Sequence, residues 1–514
     1  MNFAHRKILL LLSLVIATNT SFVLCWPSLS SERYFNTSIG EPKVLSLTAN
    51  GTVDVSVEVE SVTETIGGKA VTSGVYDLRL FRDGQLVGST IPQAAIERYI
   101  SAAPAAVESD LKSGKVIDTA EDALWREAND LFKVTSPNFK KISATKGVYT
   151  FHNIQLPRDG RKEVEFSAYA FNSDRVKSDT ARTKYTLLEM PSATTQRKAY
   201  IVSIGVNRSD VGGDWTLSCA VSDAEVTQKA LADRLKGQYD VVPVELTSSA
   251  ETPSSAATRN AIKPNVRAVL ELLSGVKPIA DDLDSLKKSI GQPLLDKILR
   301  STPQDLVIVT FSSHGVAHAS GDFYLLPSDI RMTKPGQRIP DYDSMISSDE
   351  LSLWMRDMDA ADIVMIIDAC HAAASVETPN FKPAPMGSRG LGQLAYDKQM
   401  RILTATRAKD IAVELKAGTQ GVCQGLLTYA LVHDGFELGL ADTNKPKADG
   451  KIMFGEWLEF GRDDVPVVFK KWKSGDLPAA KGFKDKENAD PAGFTQQPAL
   501  FDFRRDKSRD VQIH

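Results

Sequence analysis

The sequence predicts an α/β domain, a mostly parallel sheet with helices on both faces, preceded by an all-β sandwich. Two patterns of hydrophobic residues support this division. From about residue 40 to 190, apolar residues alternate with polar ones, whereas after residue 198 continuous apolar runs alternate with helix-like segments. Alternation is typical of strands with one solvent-facing side, and continuous apolar runs are typical of strands buried on both faces.

The first part, residues 40–190, contains clear signals for antiparallel strands. In "TVDVSVEVE" (52–60) the valines at every second position fall on one face. Asp83-Gly84 and Asp159-Gly160, each flanked by alternating hydrophobic residues, predict tight hairpins. Residues 93–133 have helical spacing and are predicted to be an insertion. Nothing in this part points to catalysis, so we expect a spacer or a docking module for a partner protein.

The second part, residues 198–475, alternates predicted strands with predicted helices. The predicted strands are 199–206, 239–246, 305–315, 362–369 and 401–406. The predicted helices are 219–236, 347–358 with a Ser347/Glu350 capping box, and one that starts at about 423. This order predicts a parallel sheet covered on both faces. Residues 476–514 are predicted to form a C-terminal tail.

Composition excludes some classes of function. The chain has 514 residues and a net charge of −4, so it lacks the basic footprint of a nucleic-acid-binding protein. Its four cysteines are too few for a disulfide scaffold. Cys219 and Cys423 are expected to be packing cysteines, and a disulfide between them stays open.

The N-terminus has the pattern of a secretory signal. Basic residues at 5–7 precede the apolar run 8–17, and small and polar residues lead to Cys25. Ten apolar residues are too few to span a bilayer. We therefore expect a signal peptide over residues 1–25, no membrane span in the mature chain and export to the periplasm or the extracellular space; retention as an anchor is the alternative.

Two predicted strands end in residues that can do chemistry. "LVIVTFSSHG" ends at His314, and "IVMIIDAC" ends at Cys370. Carboxyl ends of parallel strands lie on the same edge of a sheet, so an imidazole and a thiol are expected on that edge. His371 is a poor partner for Cys370, because neighbouring side chains on an extended segment point to opposite faces.

The block 198–475 resembles the caspase family of cysteine peptidases, close to bacterial caspase-like and metacaspase sequences. The matching pieces are "YIVSIGVN" (200–207), "AVSDAE" (220–225), "FSSHG" (311–315) and "DACHAA" (368–373), with "LTYAL" and "ADTN…DGKIMFGEW" in support. The stretch 161–178 resembles the segment that precedes this domain in such proteins, which implies an immunoglobulin-like sandwich. One departure is Ala372-Ala373, where the family commonly has Ser-Gly.

The resemblance implies a caspase-like fold and a set of site residues. Cys370 would be the nucleophile and His314 the base, with the backbone N–H groups of Gly315 and Cys370 binding the oxyanion. Asp223 and Asp368 would line a pocket for Arg or Lys. Without the resemblance, Gly315 is a turn glycine, Asp223 a carboxylate at a helix start and Asp368 a polar strand end.

Neither a metal nor a cofactor is expected. "HGVAH" (314–318) has two histidines four residues apart, but Gly315 follows a strand and no Glu lies between them, unlike the zinc motif HExxH. Residues 441–456 loosely resemble a calcium loop, but extra residues break the EF-hand spacing. Calcium activation, which some metacaspases show, stays open.

The loop after Cys370, residues 376–398, has two interpretations. In this family the corresponding connection can be cut during maturation, and Lys382, Arg389 and Lys398 are basic residues at which the chain could cut itself. The alternative is an uncut loop at the rim of the substrate pocket.

The sequence thus predicts a cysteine-type endopeptidase that hydrolyses protein or peptide substrates after Arg or Lys. The alternative is a catalytically weak or inactive scaffold of the same fold, because Ala372-Ala373 depart from the family pattern.

Overall fold

The computed structural model describes residues 37–48, 51–66, 68–93, 95–97, 129–172, 176–187, 196–250, 257–317, 323–332, 341–369, 391–407, 412–416, 423–443, 448–477, 496–506 and 510–513. The predicted signal peptide, most of the predicted insertion 93–133 and residues 370–390, which include Cys370, lie outside the described residues.

The first part of the chain forms antiparallel sheets. Its strands are β1 (Ser38–Ile39), β2 (Lys43–Leu47), β3 (Thr52–Glu60), β4 (Thr63–Ile66), β5 (Lys69–Thr72), β6 (Tyr76–Arg82), β7 (Gln85–Ser89), β8 (Phe139–Lys141), β9 (Lys146–Gln155), β10 (Glu163–Phe171) and β11 (Ala181–Thr186). Within the described residues, one sheet has the order β1-β3-β9-β8 with β2 also on β3, and a second has the order β11-β10-β6-β7.

The predicted alternation in 52–60 is confirmed. Val53, Val55, Val57 and Val59 are fully buried and share a core with residues of the second sheet such as Phe166. Because successive side chains of a strand point to opposite faces, burial of every second residue places one face of the sheet in the core. The immunoglobulin-like classification of this part stays a prediction.

Of the two predicted Asp-Gly hairpins, one is confirmed and one is wrong. Asp83 and Gly84 join β6 to β7 with φ of 49° and 80°, the left-handed conformation that a two-residue hairpin turn requires. Asp159-Gly160 joins β9 to β10, which belong to different sheets. The turn is present, but the strands it connects pair with other partners.

The second part of the chain alternates strands and helices. Its strands are β12 (Lys198–Val206), β13 (Asp240–Ser249), β14 (Thr258–Arg259), β15 (Leu306–Ser312), β16 (Gly315–Ala317), β17 (Phe323–Leu325), β18 (Ile346–Ser347), β19 (Asp362–Asp368), β20 (Arg401–Thr404), β21 (Glu414–Lys416), β22 (Cys423–Gly425) and β23 (Ala499–Asp502). Its helices are α1 (Ala220–Leu235), α2 (Lys263–Leu273), α3 (Ala280–Ile290), α4 (Gln292–Leu295), α5 (Ser348–Met355), α6 (Leu391–Lys398), α7 (Leu426–Thr428) and α8 (Phe454–Ser474), with a π-helix over Tyr429–Glu437 and short 3₁₀ turns at Gly213–Trp215 and Tyr342–Ser344.

The main sheet is mostly parallel, as predicted. Its order within the described part of the chain is β14-β13-β12-β15-β19-β20-β23. The four pairings among β13, β12, β15, β19 and β20 are parallel, and the two edge strands β14 and β23 are antiparallel. Strand β23 comes from the segment predicted to be a C-terminal tail, so that segment contributes to the sheet.

Helices cover both faces of this sheet. Along β15, Val307, Val309 and Phe311 pack into one core with α2 and α5, while Leu306 and Ile308 pack into another with α1 and α8. A strand buried on both faces needs a continuous apolar run, which is the signal that predicted it. The capping box that starts α5 is also present, because Ser347 and Glu350 exchange side-chain to backbone hydrogen bonds.

The two parts of the chain pack tightly against each other. Arg79 on β6 is fully buried and binds Asp397 on α6 at 2.7 Å. Lys398 Nζ donates to the backbone carbonyls of Leu86 and Met358 at 2.7 and 2.8 Å. The prediction that Lys398 lies in a cleavable loop is wrong, because this lysine ends α6 and is buried.

Among the described residues, no helix combines the length and apolar character needed to cross a bilayer.

Candidate active site

Strands β15 and β19 end side by side at the carboxyl edge of the main sheet. Ser312 is the register partner of Asp368, and Ser313 N donates to Asp368 O at 3.2 Å. His314 lies two residues beyond Ser312, and Cys370 follows Asp368 by two residues in the sequence. The two strand ends therefore lie side by side on one edge of the sheet, as predicted, up to residue 369, where the described part of this segment ends.

His314 is half-buried between the sheet edge and an aromatic ring. The indole of Trp215 meets the imidazole edge-on, with 5.6 Å between ring centroids. Nε2 of His314 is shielded from solvent and has no hydrogen-bond partner within the described part of the chain. Burial lowers the pKa of His314 below its usual value, so the imidazole is neutral at neutral pH and can accept a proton.

Gly315 starts the small antiparallel sheet next to His314. It is the register partner of Leu325 on β17, and the adjacent Leu326 N donates to His314 O at 3.1 Å. These contacts fix the backbone that follows the imidazole. The predicted oxyanion role of Gly315 stays a prediction, as does the role of Cys370.

Asp223 lies in the first turn of α1 and reaches the end of the sheet. Its carboxylate accepts hydrogen bonds from Ser312 Oγ at 3.0 Å and Gly425 N at 2.8 Å, and from the Thr428 side chain. The residue is only 4% exposed. Burial raises the pKa of Asp223 to about 7 in spite of these hydrogen bonds, and the nearby Glu414 carboxylate adds to the rise.

Asp368 ends β19 beside Asp223. The backbone N–H of Thr428 donates to its carboxylate, but Oδ2 is buried without a hydrogen-bond partner among the described residues. Burial raises the pKa of Asp368 well above its usual value, and the Asp223 and Glu414 carboxylates raise it further. An orphaned buried oxygen is costly, so this side chain is suited to a ligand that brings a donor or a cation.

We call Asp223, Asp368 and Glu414 the acidic cluster. The sequence predicted the first two members and missed Glu414, which lies on the short strand β21, opposite Gly425 of β22. Glu414 Oε1 accepts from Cys219 N at 2.7 Å and from Ser218 N at 3.0 Å. No local pattern marked this glutamate, because its partners lie about 200 residues away in the chain.

The same hairpin carries a disulfide. Cys219 at the start of α1 is bonded to Cys423 on β22, with a Cα–Cα distance of 4.9 Å. The expectation that these were separate packing cysteines is therefore wrong. Export, which the sequence predicted, was the signal that favours a disulfide over two thiols.

Among the described residues, no group of three or more His, Cys, Asp or Glu side chains is placed to hold a metal ion.

Comparisons with known proteins find likeness among solved structures only. No protein-family model and no curated protein matches the chain. Among the solved structures that match is one titled "structure of pro-sf-caspase-1", with 10% identity and a TM-score of 0.30, covering 60% of this chain and 92% of that chain. A likeness of this size assigns neither an activity nor a substrate.

Proposed function

We propose that this chain is a cysteine-type endopeptidase in which Cys370 is the nucleophile and His314 the general base. The observation that carries the proposal is the pairing of Ser312 with Asp368 at the ends of two adjacent parallel strands. Each strand end is followed, two residues later in the sequence, by one of the two reactive side chains. The carboxyl edge of a parallel sheet is where such folds bind ligands.

The half-buried imidazole of His314 accepts the first proton. Because burial lowers the pKa of His314, its neutral form takes the proton of the Cys370 thiol and leaves a thiolate. The thiolate attacks the scissile carbonyl carbon, and backbone N–H groups of Gly315 and Cys370 bind the resulting oxyanion. The imidazolium then protonates the leaving amine as the C–N bond breaks, and water hydrolyses the thioester.

The acidic cluster supports a preference for Arg or Lys before the scissile bond. Asp223 and Asp368 lie at the same sheet edge as His314, and Asp368 Oδ2 has no hydrogen-bond partner in the part of the chain that the structure describes. A guanidinium or ammonium group would satisfy that oxygen and compensate the cluster's charge. An acidic substrate side chain would add a further carboxylate to the site.

The cysteine count supports Cys370 as a free thiol in an exported protein. Of the four cysteines, Cys219 and Cys423 are joined to each other, and Cys25 lies in the proposed signal peptide. Disulfides persist in oxidising compartments, which is consistent with the proposed periplasmic or extracellular location.

Labelling with an arginyl chloromethyl ketone tests the proposal. We expect the probe to alkylate Cys370 in the full chain, and His314→Ala to reduce the labelling rate at least about a hundredfold, as for loss of a general base. His152, an exposed histidine paired with Asp54 in the first part of the chain, provides the control, because His152→Ala should label at the wild-type rate.

Two further outcomes separate the alternatives. Faster cleavage of an Asp-ended than of an Arg-ended fluorogenic peptide would contradict the basic preference. No labelling of Cys370 and no peptidase activity in well-folded protein would favour the catalytically inactive scaffold.

A further inference from the structure

The Cys219–Cys423 disulfide joins two segments that both contact the acidic cluster. Cys219 directly precedes α1, and Asp223 N donates to Cys219 O at 2.9 Å in the first turn of that helix. Cys423 starts β22 and lies two residues before Gly425. The two cysteines are 204 residues apart in the chain, so the bond links a helix start to a distant hairpin.

Hydrogen bonds connect the same two segments at the acidic cluster. Gly425 N donates to Asp223 Oδ1 at 2.8 Å. Glu414, the register partner of Gly425, accepts from Cys219 N. The disulfide therefore lies beside the two hydrogen bonds that hold the hairpin against the start of α1.

Electrostatic repulsion acts against these hydrogen bonds. Glu414 on the hairpin and Asp223 on α1 are both carboxylates, and each faces Asp368 closely enough to raise its pKa. Where both are ionised, their like charges repel strongly in this poorly solvated site. A covalent bond cannot lengthen in response, whereas hydrogen bonds can, so the disulfide opposes separation of the hairpin from the helix.

We propose that the Cys219–Cys423 disulfide determines specificity by holding the acidic cluster in the arrangement that binds a basic side chain, and that its reduction by a dithiol weakens this binding. The inference rests on the proposed function, since it concerns the same substrate pocket. It adds redox control of substrate binding, separate from the redox state of the nucleophile.

The redox step needs one dithiol. Cys219 is fully buried and Cys423 is half-buried, so a reductant thiolate attacks Cys423 Sγ. The Cys219–Cys423 bond breaks, Cys219 leaves as a thiolate that takes up a proton, and a mixed disulfide forms on Cys423. The second reductant thiol attacks the reductant sulfur of that mixed disulfide and releases the Cys423 thiol. Two electrons pass to the protein, and the reductant becomes a disulfide.

Binding of benzamidine, a small cation that resembles an arginine side chain, tests the inference without catalysis. The full chain carrying Cys370→Ala is titrated by calorimetry in its oxidised form, after reduction with dithiothreitol and after reoxidation. We expect reduction to raise the dissociation constant of benzamidine about tenfold, equivalent to about 1.4 kcal/mol of binding free energy. Reoxidation should restore the original value. Cys219→Ser combined with Cys423→Ser should reproduce the reduced value.

A control separates loss of pocket geometry from loss of stability. Arg79→Met in the same background destabilises the junction between the two parts of the chain. Its partner Asp397 lies on α6, which packs on the face of the main sheet opposite α1, so the substitution should leave benzamidine affinity unchanged. Equal affinity in oxidised, reduced and doubly substituted protein would overturn the proposed role of the disulfide and leave the basic specificity intact. Absence of binding to the oxidised protein would overturn the basic specificity itself, and the proposed role of the disulfide with it.

Discussion

Asp223 and Asp368 converge on one side of Gly425. A Cβ atom placed on Gly425 would overlap Asp368 Oδ2 and lie 3.2 Å from Asp223 Oδ2. Two carboxylates that approach one point in a buried site cannot both ionise at low cost. The two carboxylates occupy the space that a side chain at position 425 would fill. A proton or a bound cation compensates their negative charge.

Gly425→Ala should damage binding of basic substrates. The added methyl group would overlap the Asp368 carboxylate and must push that side chain or strand β22 aside. We expect KM for an Arg-ended fluorogenic peptide to rise about tenfold with a smaller effect on kcat. Unchanged KM in a folded variant would show that the substrate does not use this space.

The affinity for basic substrates should increase with pH through about 7. The pKa of Asp223 is raised to about 7, and that of Asp368 is raised as well, so the pair holds protons in weakly acidic solution. Ionisation creates the charge that attracts a cation, so as pH rises toward that pKa, KM for an Arg-ended peptide should fall by at most about tenfold per pH unit.

A citrulline-ended peptide is the matched control for this pH dependence. Citrulline has nearly the shape of arginine without its charge, so its KM should stay flat over the same range. Parallel pH profiles for the two peptides would contradict a role for the ionisation of the acidic cluster.

Asp368→Asn should stabilise the protein at alkaline pH while weakening Arg binding. The raised pKa of Asp368 means that the folded protein holds its proton more tightly than the unfolded chain does. The resulting stability is complete below the unfolded value near 3.8 and is lost as pH rises through the folded value. The amide avoids this loss, and we expect a gain of about 1–3 kcal/mol in the free energy of unfolding at pH of about 8.

Chemical denaturation at several pH values measures this gain. Asp284→Asn, at an exposed position of α3, is the control and should change stability by less than about 0.5 kcal/mol. An Asp368→Asn gain that is equal at acidic and alkaline pH would contradict the proposed cause.

The main sheet and the part of the site at the ends of β15 and β19 could be predicted, because their sequence signals are local. Continuous apolar runs identified β15 and β19, and the rule that parallel strand ends share an edge placed the strand end that precedes His314 beside Asp368. The pairing of distant segments has no local signal. Asp159-Gly160 has the composition of a hairpin turn, but which strands pair is decided by the packing of the whole sheet. The contact of Glu414 with Cys219 is equally invisible in sequence.

The last prediction concerns the junction between the two parts of the chain. Arg79 is fully buried between Asp77 on its own strand and Asp397 on α6, with ion-pair distances of 2.6 and 2.7 Å. Arg79→Met removes the cation and leaves two buried carboxylates without it, which typically costs about 3–5 kcal/mol. We therefore expect the free energy of unfolding, measured in urea, to fall by that amount.

Arg182→Met is the matched control for that loss. Arg182 also pairs with a carboxylate, Glu165, but 54% of its side chain is exposed, and exposed ion pairs contribute only about 0–1 kcal/mol. Arg79→Met combined with Asp77→Asn and Asp397→Asn should recover most of the lost stability, because no uncompensated charge remains. If Arg79→Met and Arg182→Met cost the same, the junction does not depend on this buried network, and other contacts such as the hydrogen bond from Lys398 Nζ to Leu86 O hold the first part of the chain to α6.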